Sequence, residues 1–318
     1  MEKQHKSPPF EQTVRNRSSP PHFSGRAQAL WAKSGDESGS LSLPQHLLDS
    51  AGAAAAVYDT WVAKSLKKRL ADDLELTEQQ VRDLYIWLAG THDVGKACLK
   101  FQTQLEKRGG FEHLISNLAD AGLPLRAGGL ERAREKMPHS ICSGRLISNW
   151  LMENGFDYTT AEWLASAADA HHGVPSEAGE RDHIDTILST YSPEWQDVHR
   201  ELLDTMADAA GVHDTLEQLK RSGKTDTAAM QLLTGLVVMA DWIASNPEAF
   251  PMSVSGTQDE RVRSGMSATD LTRPWAGKAV ADDVDKHFQS SFNWPENYKA
   301  RSVQAAMVDV ARTVSEPT

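Results

Sequence analysis

Seven residues of this 318-residue chain could do metal chemistry: His46, the adjacent pair His92-Asp93, His139, the adjacent pair His171-His172, and Asp241. Five imidazoles and two carboxylates make a nitrogen-rich set. It suits manganese, iron, cobalt, nickel or zinc better than calcium, and better than magnesium alone. Seven ligands are too many for one ion with an open position. Two divalent ions roughly 3.5 to 4 Å apart, bridged by a carboxylate, use them well, and such pairs serve phosphodiester and phosphomonoester hydrolysis. Asp93 is the candidate bridge. The cations would polarise a phosphate and lower the pKa of a bound water, giving hydroxide at neutral pH for in-line attack.

Taken singly, these residues prove little. A lone histidine on an apolar face is more often a core residue satisfied by a hydrogen bond. A lone buried aspartate demands more, because an unpaired buried carboxylate is costly without a cation, hydrogen bonds or a metal. The argument lies in the repetition. His92 continues the helical stripe of Val81, Leu84, Tyr85 and Leu88, and His46 shares a face with Ala53, Val57 and Trp61. His139 lies with Leu146 and Trp150, His171 and His172 follow Leu164 and Ala168, and Asp241 follows Leu233 and Val237. Five helices thus bring His or Asp to an inward face, and one shared metal centre would compensate them all.

The elements that must position these residues are helices. Apolar residues recur at three and four along most of the chain, with no convincing set of alternating strands, so the fold class is mostly α. The spacing predicts helices over 44–71, 77–92, 111–120, 139–153, 159–171, 194–220 and 226–245, and a last one over 300–313. Thr77 before Glu78-Gln79-Gln80 is a helix start, and "GLPLRAGG" at 122–129 is a break. "MSVSGTQDERVRSGMSATDLTRP" after Pro251 reads as a linker or surface excursion.

Composition bounds the rest. Hydrophobic residues make up 40% of the chain and charged residues 24%, and no run reaches the roughly 18 to 20 apolar residues of a bilayer span. A cytoplasmic protein with no membrane partner is expected, and its two cysteines, Cys98 and Cys142, read as core residues of a reducing compartment. The polar, Pro-rich start reads as a flexible arm over 1–27. The net charge of -11 excludes broad adhesion to nucleic acid, but not action on it through metals or through a partner's grip.

The order H…HD…D set by His46, His92-Asp93 and Asp241 resembles the HD superfamily of metal-dependent phosphohydrolases. Six stretches sharpen the resemblance: "LWAKSGD" (30–36), "LPQHLLDSA" (43–51), "HDVGKACLKFQ" (92–102), "MPHSICSG" (137–144), "HHG" (171–173) and "ADWIAS" (240–245). Together they closely resemble the HD nuclease domain of the CRISPR-associated type I nuclease-helicase, over about residues 28–250. The resemblance implies an HD-superfamily helical bundle around a dinuclear metal site. It also implies cleavage of single-stranded DNA, the strand displaced by an RNA-guided CRISPR surveillance complex and fed by a helicase domain. One ion would then take His46, His92, Asp93 and Asp241, and the other Asp93, His139, His171 and His172. By the same resemblance Lys96 is a catalytic residue close to the scissile phosphate, where it would stabilise developing charge. Ser245 would contact DNA or a ligand, and Trp31, Lys33 and Trp242 are candidates to line a single-strand channel.

The resemblance stops short of the motor. No GxxxxGK[ST] loop is present, since the position five before Gly223 is Gln218, and "RSGKTDT" at 221–227 reads as a helix-to-helix turn. Residues 251–318 read as a linker and C-terminal helix leading toward a helicase domain, with Arg301 and Gln304 in an Arg-x-x-Gln arrangement. The helicase would come from another chain or be missing from this one, and no ATP hydrolysis is expected. Two other readings stay open: an HD phosphohydrolase acting on nucleotides or cyclic nucleotides, and a non-catalytic domain competing for the surveillance complex.

Overall fold

A computed structural model describes residues 21–35, 39–125, 137–269, 271 and 283–313. The flexible arm expected over 1–27 lies outside these residues up to position 20, and the break at 122–129 lies outside them from position 126. Among the described residues the architecture is a helical bundle with one two-stranded antiparallel hairpin, β1 (Trp31–Gly35) and β2 (Gly39–Ser42). The hairpin departs from the expectation of no paired strands. Strands of five and four residues are too short to show an alternation by sequence.

Seven helices shape the site. α1 (Leu43–Thr60) starts at Ser42, whose side chain caps Gln45 N, with Pro44 in the first turn. α2 (Glu78–Thr91) starts with the Thr77–Gln80 capping box. α3 (His139–Glu153) and α4 (Tyr158–Asp169) pair with each other. α5 (Pro193–Ala210), α6 (Thr227–Ser245) and α7 (Gln258–Ala268) complete the set. α2 is the hub, packed against α1, α5, α6 and α4. Val81, Leu84, Tyr85, Trp87 and Leu88 are all at most 1% exposed. Each large apolar side chain so buried contributes about 1.5–3 kcal/mol, so the end of α2 is firmly held in the core.

Several expected boundaries move. The helix expected over 44–71 is two, because after α1 the amides of Trp61 and Val62 both close on Val57 O and Val62 turns inward. The chain restarts at Lys64–Leu74, which lays Leu70 and Leu74 into the core. The helix expected over 194–220 breaks at Gly211, whose φ of 67° lets the chain reverse into His213–Ser222. α4 stops at Asp169, so His171 and His172 sit on the turn beyond it.

The linker expected after Pro251 holds α7, announced by a Thr257–Glu260 capping box; its positions 270 and 272–274 lie outside the described residues. Arg261 of α7 is 7% exposed and makes a two-pronged ion pair with the fully buried Asp49 of α1, with contacts of 2.8 and 2.8 Å at its closest atoms. Gln258 reinforces it through Gln45 and Asp49. α7 therefore braces α1 one turn beyond His46.

By length and composition alone α6 passes for a membrane span, with mean hydropathy 1.4. In the fold Leu233, Val237 and Ala240 face the core, and α6 delivers Asp241 to the site.

Candidate metal centre

All seven expected residues converge where the end of α2 meets α1, α3, α6 and the turn after α4. His46, His92, Asp93 and Asp241 form one group, and His139, His171 and His172 another; within each group one ligand atom per residue lies within 4.8 Å of the others. Asp93 joins them. Its Oδ2 lies 2.8 Å from His46 Nε2 and 3.4 Å from His92 Nε2, while its Oδ1 lies 3.3 Å from His139 Nε2 and 3.6 Å from His171 Nε2. One carboxylate thus presents an oxygen to each group. Asp241 Oδ1 closes the first group, 3.3 Å from His92 Nε2.

Local backbone chemistry aims the rings. His92 Nδ1 donates to Ala89 O at 2.7 Å, and His171 Nδ1 donates to Ala168 O at 2.6 Å. In both cases the carbonyl three residues back fixes the ring and leaves Nε2 pointing inward. His172 Nε2 and His139 Nε2 lie 2.9 Å apart, a separation that needs a proton or a cation between them.

The turn after Asp93 is pressed against α3. A Cβ at Gly95 would lie 2.2 Å from His139 O and 2.3 Å from Ser143 N, so only glycine allows this approach, and Gly95 N donates to Ser143 Oγ at 2.8 Å. That approach places His139 beside Asp93. Further bonds hold the turn. His199 Nε2 donates to Ala97 O at 2.6 Å, Leu99 N donates to Tyr191 Oη at 2.9 Å, and Gln102 Nε2 donates to both Trp31 O and Lys96 O. On the other side Asp169 Oδ2 accepts from Ser176 N and Oγ, both at 2.9 Å, and folds back the loop that carries His171 and His172. Gly95, Ser143, Gln102, Asp169 and His199 were not expected to matter. Only the Gly95 signal, inside "HDVGK", was present locally.

The electrostatics fit a cation. Burial keeps His46 neutral, with a pKa near 3, and lowers His171 to about 4; it also lowers His139. Neutral imidazole is the form that binds metal. Burial opposes protonation of His92 as well, but Asp93 and Asp241 outweigh it and raise its pKa to about 10. Asp93 and Asp241 thus gather negative charge at His92 Nε2, where a cation is favoured. Burial acts to raise the Asp93 and Asp241 pKa values, yet Lys96 and His92 hold Asp93 well below the usual carboxylate range, and His92 does the same for Asp241. His46 Nδ1, His92 Nε2 and Asp93 Oδ1 are buried without a hydrogen-bond partner among the described residues. Two of the three aim into the cluster, and the donor set matches divalent transition metals.

The flanking candidates divide. Lys96, in a 3-10 turn (Val94–Lys96), reaches Asp93 Oδ2 at 2.7 Å. Ser245 Oγ donates to Asp241 Oδ1 at 2.8 Å and so orients that carboxylate. Trp31 is not a channel residue: it is 4% exposed and donates its indole N–H to Gln102 O. Phe101, Phe111 and Leu114 pack around it and bury it. Trp242 is 74% exposed, and the Lys33 ammonium donates to Ala244 O at the end of α6.

A family description, the HD domain of Cas3, matches residues 31–250, more than half of the chain. The chain belongs to the Cas3 HD-domain family. The endonuclease/helicase Cas3 of Thermus thermophilus is 32% identical over 225 residues, covering 71% of this chain and 23% of that protein. The nuclease/helicase Cas3 of Streptococcus thermophilus is 26% identical over 294 residues, covering 85% of this chain and 31% of that protein. This Cas3 HD domain chain therefore spans between 23% and 31% of the length of these relatives. Among solved structures, the Thermus thermophilus Cas3 HD domain crystallised in the presence of Ni2+ superposes with a TM-score of 0.56 at 27% identity, covering 77% of this chain and 90% of that one. A crystal structure of a CRISPR-associated protein superposes with a TM-score of 0.68 at 26% identity, covering 92% of this chain and 32% of that one. The mostly helical Cas3 HD fold is common ground, and this chain's His/Asp cluster could hold a metal.

Proposed function

We propose that this Cas3 HD domain is a metal-dependent deoxyribonuclease that cuts single-stranded DNA in CRISPR interference. The observation that carries the reading is the division of Asp93, one oxygen toward each histidine group, because this is how a bridging carboxylate serves two ions. His46, His92, Asp93 and Asp241 would hold one divalent ion, and Asp93, His139, His171 and His172 the other. When bound, such ions supply positive charge against the phosphate and an acidified water at neutral pH.

The chain's own groups do the rest. Neutral His46, His139 and His171 need lose no proton to bind. Ser245 holds Asp241 in place, and Gly95 fixes the separation of the two groups. Lys96 lies on Asp93 Oδ2, and it would turn its ammonium hydrogen bonds to a non-bridging phosphate oxygen as charge develops there.

Residues 28–250 would form the nuclease unit, with α7 bracing it from the following segment, and the remainder of 251–318 leads toward a helicase partner. The domain would act in the cytoplasm on a strand displaced by an RNA-guided surveillance complex. The relatives' names, endonuclease/helicase and nuclease/helicase, support this reading.

The test is incubation of manganese-, nickel- or cobalt-loaded protein with circular single-stranded DNA, duplex DNA and a panel of nucleotides and cyclic nucleotides. Cleavage of the single-stranded circle, lost in Asp93→Ala, is the expected result. Turnover of nucleotides without DNA cleavage would establish a nucleotide phosphohydrolase instead. A ratio that never exceeds one bound ion per chain at saturating metal would overturn the two-ion reading.

A further inference from the structure

Lys33 is left over by the seven-ligand centre. It lies on β1, and its ammonium donates to Ala244 O at 2.8 Å, three residues beyond Asp241 on α6. Among the described residues no carboxylate lies within ion-pair distance of it, whereas Lys96 is paired with Asp93. The Lys33 ammonium is largely removed from water. Burial, and then the charge of Lys96, pull its pKa down to about 8, while Asp241, Asp49 and Asp93 act the other way.

A structural role explains this poorly. A neutral carbonyl takes one of three ammonium donors, and a neutral side chain would cap the helix end without facing a second lysine. The Lys96 charge acts against that of Lys33, and a phosphate bound by both would offset that repulsion. Lys96 is paired with Asp93, and Lys33 is bonded to the carbonyl of Ala244, three residues beyond Asp241.

We propose that Lys33 is a second substrate-binding cation, which grips the phosphodiester next to the scissile one on the Asp241 side of the centre. The proposal rests on the nuclease reading above. The Ala244 carbonyl fixes the ammonium, and its remaining donors meet a non-bridging oxygen. A polynucleotide reaches both lysines. A substrate with one phosphodiester reaches only Lys96, so Lys33 favours chains over single nucleotides.

The experiment compares wild type, Lys33→Met and Lys33→Arg, all manganese-loaded, on a single-stranded oligodeoxynucleotide and on bis(p-nitrophenyl) phosphate, which has one phosphodiester. For Lys33→Met the expected result is a KM for the oligonucleotide raised about tenfold, and a slope of log affinity against log salt shallower by about 0.7, the loss of one single-strand phosphate contact. Its rate on bis(p-nitrophenyl) phosphate and its metal content stay unchanged, and Lys33→Arg restores the KM. Equal losses on both substrates would mean that Lys33 only positions Asp241, and would overturn the proposal. An unchanged oligonucleotide KM and salt slope in an active enzyme would overturn it while leaving the nuclease reading intact. Wild type that cleaves no DNA but hydrolyses the small diester would overturn both.

Discussion

The two ligand groups that meet at Asp93 are built in different ways. His46, His92 and Asp93 are at most 2% exposed, and the packed helices α1, α2 and α6 carry this group. Its rings are fixed by the core. In the second group the His139 side chain is 26% exposed and His172 is exposed; its residues come from the first turn of α3 and from a turn beyond α4. Polar bonds, chiefly those of Asp169 and Ser143, hold that side. The difference teaches how each group is held: His46, His92 and Asp93 are bound up with folding, while His139 and His172 lie toward solvent, as does the partly exposed Asp241.

Substitutions can break or sharpen this contrast. Asp93→Ala removes the shared carboxylate, so both groups lose metal together and DNA cleavage falls by at least ~10³-fold; metal analysis and a nuclease assay read it. Retention of one tightly held ion would show that the groups are independent. Arg261→Ala strands the buried Asp49 behind α1 and costs about 3–5 kcal/mol of stability in denaturant unfolding. Metal at the first group weakens with it, and an unchanged midpoint would show that α7 does not brace the site.

Gly95→Ala forces the turn away from α3, since backbone atoms and not a flexible side chain block the new methyl group. The expected cost is about 1–3 kcal/mol, with His139 drawn away from Asp93 and second-group metal lost first. Asp169→Asn exchanges an anionic acceptor for Ser176 for an amide. Second-group metal affinity should fall roughly 10- to 100-fold while the first group keeps its ion, as titration calorimetry would report.

The smallest effect is in pH. The His92 pKa is raised to about 10, and the imidazolium must lose a proton to bind a cation, so first-group affinity should rise about tenfold from pH 7 to pH 8. His139 and His171 have lowered pKa values and are already neutral there. Proton release measured in buffers of differing ionisation enthalpy should therefore attend the first ion only.

Much of this was legible in the sequence, in uneven measure. The stripe of Val81, Leu84, Tyr85 and Leu88 running into His92 predicted α2 and the depth at which the pair arrives, because a 3.6-residue period is a local property. The Thr77 start held for the same reason. α7 was missed although its Thr257–Glu260 capping box was in view, because its surroundings are polar and its anchor, Asp49, is 212 residues from Arg261. The hairpin was missed because it is short, and Trp31 passed for a channel residue because its partner Gln102 is distant in sequence.

By itself the sequence determined the mostly helical class, the seven residues able to ligate metal and the choice of Asp93 as their centre, since residue type and helical spacing carry that information. Only the tertiary structure decided that Asp93 divides its oxygens between two groups, that His46 and His92 are sealed while His139 and His172 reach toward solvent, and that Lys33 reaches the end of α6. These depend on distances between segments remote along the chain. Close packing sets those distances, as Gly95 against α3 and Arg261 against Asp49 show, and no local periodicity encodes them.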